Sequence, residues 1–106
     1  MAWISLTIAG VLEVFWAVSL KYTDGFSRLR PTVVTVAGMI ASFYFLAQAL
    51  KTIPVGTGYA VWTGIGAAGT AILGIFLFAE EASVSRFVCI SLIIAGIVGL
   101  KLTSPH

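Results

Sequence analysis

Glu13 is the one acidic or basic side chain between Met1 and Leu20, in an apolar run where no basic residue lies within seven positions of it. A carboxylate can take a proton, accept hydrogen bonds or pair with a cation. At the centre of a bilayer helix its charge costs about 2.5 to 3.5 kcal/mol on insertion scales, so such residues face a bundle interior or an aqueous cavity and mark ion or proton pathways. Something must offset that cost, and a bound proton or cation does so. On a period of about 3.6 residues Glu13 shares a face with Ala9, Gly10, Trp16, Ala17 and Leu20. Gly10 and Ala17 let another backbone or a ligand approach closely. Trp16, one turn on, offers an indole donor, an apolar wall or a ring face to a cation. The plainer alternative is that Glu13 only joins helices through a hydrogen bond and that Trp16 is packing bulk.

A second group of polar handles lies in Val55-Gly56-Thr57-Gly58-Tyr59-Ala60-Val61-Trp62-Thr63-Gly64-Ile65-Gly66, where Tyr59, Trp62, Thr63 and Gly66 fall on one helical face. A buried phenol and a buried indole N–H need partners, which suits a polar cavity, although both rings would also suit an interfacial belt. Gly64, Gly66 and Gly69 permit either a bend or very close packing. Ser42, in the middle of another apolar run, can donate to a carboxylate or back to its own helix carbonyl.

The elements that position these groups follow from composition. The chain has 106 residues, 59% hydrophobic and 9% charged, with a mean hydropathy of +1.08. An ordinary soluble domain is about 25% charged, so this is a membrane protein whose apolar surface faces lipid. Charges and turn residues divide it into one membrane domain of four spans, approximately 1–20, 32–50, 55–78 and 85–103. Each is near the roughly 20 residues a helix needs to cross the hydrocarbon. Strict polar/apolar alternation is absent, which disfavours a barrel and makes the chain all-α. Trp3 and Tyr22 border the first run as interfacial anchors. The fourth span, with Ser91, Ala95, Gly96 and Gly99, has a small-residue side suited to assembly.

Several functions are disfavoured. A net charge of +2 with scattered basic residues gives no nucleic-acid surface. The glycines form no phosphate loop, no His/Cys cluster offers a metal site and no nucleophile stands beside a base, so neither a cofactor nor enzymatic activity is expected. Cys89, the lone cysteine, reads as a small packing residue, and His106, at the C-terminal end, as disordered. Glu13 inside the first run argues against a cleaved signal peptide. Connectors one and three carry Lys21, Arg28, Arg30 and Arg86 against Lys51 and Lys101 on the opposite side. That weak bias permits insertion in both orientations.

The runs Gly10-Val11-Leu12-Glu13-Val14-Phe15-Trp16-Ala17, followed by Lys21, and Ile53 to Gly66 resemble the small multidrug resistance family across essentially the whole chain. Trp16 and the Trp62-Thr63-Gly64-Ile65-Gly66-Ala67 run are similar to its guanidinium exporter subtype. Quaternary-ammonium exporters usually carry a smaller residue, often threonine, where Trp16 stands. The resemblance implies an integral protein of the bacterial inner membrane, an antiparallel dual-topology homodimer that exchanges protons for guanidinium-type cations. It also implies that Glu13 binds substrate or protons, that Trp16 and Ser42 orient the glutamate, and that Tyr59 and Trp62 line the site, which Gly10 flanks by its place on the Glu13 face. Gly64 and Gly66 would permit a bend. The competing functions are a quaternary-ammonium exporter, a structural or regulatory membrane subunit, and a proton channel. A reporter fused to the C-terminus is expected on both sides of the membrane, and finding it on one side only would remove dual topology.

Overall fold

The computed structural model describes residues 1–103, in which four α-helices and no strands occur. They are α1 (Ala2–Tyr22), α2 (Leu29–Ala49), α3 (Val55–Leu77) and α4 (Val84–Thr103). Each is long and apolar enough to cross a membrane, since about 20 residues at about 1.5 Å each match the hydrocarbon thickness. The chain is therefore a multi-pass membrane protein. His106 lies outside the described residues.

Local chemistry sets the ends of the helices. Thr23 closes α1: its hydroxyl donates to the Leu20 carbonyl (2.7 Å) and accepts from the Phe26 amide (3.2 Å). The turn then runs through Asp24, Gly25 and Phe26, all at positive φ. α2 starts at Leu29, ahead of the apolar run at Thr32, and so carries Pro31 in its first turn. Proline is tolerated there because the first helical N–H groups have no intrahelical acceptor. At the start of α4, Ser83 Oγ accepts from the Arg86 amide (3.1 Å) and caps the helix.

α1 is the central element. It packs along α2 and α3, whereas α2 and α3 touch only briefly and, among the described residues, the backbone of α4 runs beside α3 alone, its Lys101 reaching the Trp3 ring of α1. Glycines allow the close contacts. A Cβ at Gly38 would meet Phe15 and Trp16, one at Gly69 would meet Val14, and one at Gly10 would meet Ile65. Small residues have this role in membranes, where apolar contact with lipid is as favourable as contact with another helix and packing decides association. Gly10 thus admits a side chain of α3, where the sequence left open a backbone or a ligand.

The buried core of Leu6, Ala9, Ala49, Ile53, Val61 and Trp62 occupies the half of the bundle nearest the α2–α3 connector. The fully buried Ser42 lies beside it. Its hydroxyl donates to the Ala9 carbonyl (2.7 Å) and accepts from Trp62 Nε1 (3.0 Å), so one side chain joins three helices. Neither acceptor foreseen from sequence, the carboxylate or its own helix carbonyl, is the one used. Cys89, expected as a packing residue, is exposed on α4, whose backbone runs beside α3 alone among the described residues. Ser42→Ala is expected to lower the stability of the detergent-solubilised protein by about 1 to 2 kcal/mol, the upper range for interhelical hydrogen bonds in membranes. Reversible unfolding followed by tryptophan fluorescence checks this.

Candidate functional site

The Glu13 carboxylate points from α1 onto α3 and lies against the bare backbone of Gly66, where an added Cβ would overlap the carboxylate. Only glycine leaves that space open. The packing places an acceptor group between two helices instead of in lipid. A cleft of about 400 Å³ begins there, lined by Glu13 and Ala17 of α1 and by Thr63, Gly66, Ala67, Thr70, Ala71 and Gly74 of α3. Phe78 and Glu80 stand at its outer end. A water occupies about 30 Å³ of liquid, so the space suffices for a small cation with part of its hydration shell.

Two polar atoms in this cleft have no hydrogen-bond partner among the described residues. They are Glu13 Oε1 and Thr70 Oγ1, both buried. Leaving a buried acceptor unpaired costs about 1 to 3 kcal/mol, more for a charged group, and such atoms in a cleft point to an occupant that completes them. The arrangement can accept a proton on the carboxylate or hold a cation with hydrogen-bond donors. Thr63 was on the helical face legible in sequence. Thr70 was missed, although extending that strip one turn past Gly66 reaches it.

The aromatic residues fall elsewhere. Trp16 packs edge-on against Phe43 of α2 (centroids 6.5 Å), Phe43 packs on Trp62 (5.7 Å), and Trp62 on Tyr59 (5.6 Å). This row of rings crosses α1, α2 and α3 and does not line the Glu13 cleft. Trp16 Nε1 is buried without a partner, Trp62 Nε1 is bound to Ser42, and Tyr59 is 56% exposed. Phe43, which links the two tryptophans, had no polar handle to single it out. α3 is one uninterrupted helix from Val55 to Leu77. Within it Gly64 serves as a contact point for Ile97 and Ile93 of α4, as Gly66 does for Glu13.

Ser42 reaches the site only indirectly. The Ala9 carbonyl it binds lies one turn before Glu13 and is, in a regular helix, the acceptor for the Glu13 amide. Ser42 therefore braces the turn that carries the carboxylate. At the outer end of the cleft, Tyr22 packs on Phe78 (5.6 Å) and the Lys21 ammonium sits 4.9 Å from the Phe78 centroid. There Arg86 Nη2 donates to Glu80 Oε1 (2.7 Å) and to the Ala71 carbonyl (2.8 Å).

A family model described as Small Multidrug Resistance protein matches residues 1–93. A guanidinium exporter of Yersinia pseudotuberculosis serotype I (strain IP32953) is 62% identical over 104 residues, 98% of this chain and 100% of the relative. Guanidinium exporters of Citrobacter freundii and Salmonella typhimurium are 59% identical over 104 residues, 98% of this chain and 99% of each relative. With four membrane-crossing helices and these relatives along nearly its full length, the chain belongs to the small multidrug resistance family of multi-pass bacterial inner-membrane proteins.

Proposed function

We propose that the protein exports guanidinium and related small guanidinyl cations in exchange for protons, with Glu13 as the group both occupy in turn. The observation that carries this reading is the buried, unpartnered Glu13 oxygen at the inner end of an open cleft. The names of the relatives supply the cargo. Guanidinium is planar, weakly hydrated and able to donate parallel hydrogen bonds to a carboxylate, the geometry that makes arginine–carboxylate pairs strong.

Exchange follows from competition for one group. Burial disfavours a charged carboxylate and a bound cation favours it, so proton and cation oppose each other there. Thr70 supplies a hydroxyl oxygen to the same cleft. Trp16, whose N–H has no acceptor among the described residues, and Tyr59, whose exposed ring offers a flat face to a planar cation, stand outside the Glu13 cleft and in this reading meet the cargo beyond it. Trp62 and Ser42 hold the frame.

The working unit in this reading is an antiparallel homodimer of dual-topology chains. Supporting it, nothing lies within 4 Å of a Cβ built at Gly96 or Gly99 on α4, which leaves the small-residue face of that helix open to another copy. Two like carboxylates at one shared site would titrate as a coupled pair. The glycine contacts of α3 at Gly64 and Gly66 let the helix shift against its neighbours, so that access alternates about a midplane site as in transporters built from repeats.

In liposomes containing the purified chain, Glu13→Gln is expected to abolish guanidinium-driven proton movement and weaken guanidinium binding by more than about 100-fold, as loss of a buried charge partner costs about 3 to 5 kcal/mol. For the unaltered protein, guanidinium affinity should fall as pH falls, by up to about tenfold per pH unit while one proton competes with one cation. Coupled movement that survives in Glu13→Gln, or affinity indifferent to pH, would remove the mechanism. A bulky quaternary-ammonium cation carried better than guanidinium would move the chain to the other subtype.

Gly66→Ala tests the seat of the carboxylate. The new methyl displaces it, so cation affinity should drop by about tenfold or more, about 1.4 kcal/mol, while alanine strengthens the helix itself. Titration calorimetry beside a thermal melt separates these effects.

A further inference from the structure

The outer end of the cleft already holds a guanidinium. Arg86 Nη2 donates to Glu80 Oε1 and to the Ala71 carbonyl, and both Ala71 and Glu80 line the cleft that begins at Glu13. The fold prepares this contact from both sides. The left-handed Ala79 (φ 52°) turns the chain after α3, and the Glu80 amide donates to the Gly74 carbonyl (3.2 Å). The missing side chain at Gly74 leaves room for the Glu80 carboxylate, which an added Cβ would strike. Ser83 fixes the Arg86 backbone by capping α4. Glu80 thus sits on Gly74 as Glu13 sits on Gly66. Eight residues of α3 separate the two seats, about 12 Å along the helix axis.

The Arg86 head group is incompletely held. Its bonds run through one nitrogen, while Nε is buried without an acceptor among the described residues. The pair is partly exposed, with side-chain exposures of 28% for Arg86 and 43% for Glu80. Partly exposed pairs of this kind are weak. A free planar cation can instead meet a carboxylate with two parallel hydrogen bonds, the stronger geometry.

We propose that Glu80 is an outer acceptor for guanidinium cations on the path to Glu13, and that the Arg86 guanidinium is a tethered stand-in which the cargo displaces. This rests on the guanidinium-export reading. When a cation takes Glu80, Arg86 keeps the Ala71 carbonyl and swings off the carboxylate. When the cation moves inward, Arg86 returns and closes the mouth behind it. The cleft then presents two carboxylates in series, of which the outer is self-occupied at rest.

The signature is opposite effects from the two halves of one ion pair. In proteoliposomes, Glu80→Gln should raise the KM for guanidinium about three- to fivefold with little change in kcat, and Arg86→Gln should lower KM by a similar factor, on the scale of a partly exposed pair. The double variant should follow Glu80→Gln. If Arg86→Gln is not recovered as a monodisperse protein, Arg86→Lys, which keeps the charge but loses the planar fork, should shift KM in the same direction by less. A purely structural latch breaks equally from either side, so KM shifts of the same sign in both variants, or no shift in Glu80→Gln, overturn the proposal. Absence of guanidinium exchange by the unaltered protein would remove the functional reading and this proposal with it. Exchange by the unaltered protein together with same-sign variants removes this proposal alone.

Discussion

A carboxylate pressed against a bare stretch of helix backbone organises this molecule. Glu13 can stand between α1 and α3 only because position 66 has no side chain, and it can remain there only if something completes its unpartnered oxygen. Water would do so in a soluble protein. Within the membrane interior an unmet acceptor is costly, so the same geometry that buries the group makes it dependent on whatever reaches it along the cleft.

The rest of the bundle supplies the rigidity that such a site requires. One half is closed by apolar side chains and by the hydroxyl of Ser42, which connects Trp62 of α3 to the Ala9 carbonyl of α1. The other half is opened by residues that are small or end in a hydroxyl: Ala17, Thr63, Ala67, Thr70 and Ala71. The helix turn bearing the carboxylate lies at the border between these halves, braced on one side and facing space on the other. The aromatic row through Trp16, Phe43, Trp62 and Tyr59 adds shape without adding charge.

Much of this was legible from the chain alone, for physical reasons. A lone acid in an apolar run announces itself because lipid penalises charge, and four apolar segments of spanning length announce helices because backbone groups must be satisfied internally. Face assignments by helical period also placed Thr63 and Gly66 together. What periodicity could not provide was the partner of each face. Ser42 had two plausible acceptors within reach in one dimension and took a third, on another helix. Trp16 shares a face with Glu13 yet turns its ring toward α2, because Gly38 makes room there. Arg86 read as a connector charge, and the backbone turn at Ala79 is what sets the Glu80 carboxylate beside it at the cleft.

α4 is attached to the remainder of the chain chiefly through α3, with one side-chain contact to α1, the Lys101 ammonium 4.9 Å from the Trp3 ring centroid. The protein is a three-helix block with a fourth helix laid along α3, held at one end by the Arg86 to Ala71 bond and at the other by Lys101 over Trp3. Neither tie involves the hydrogen bonds inside the three-helix block, so whatever α4 docks onto bears on the carboxylate-carrying block through these two end contacts and the glycine-lined face of α3.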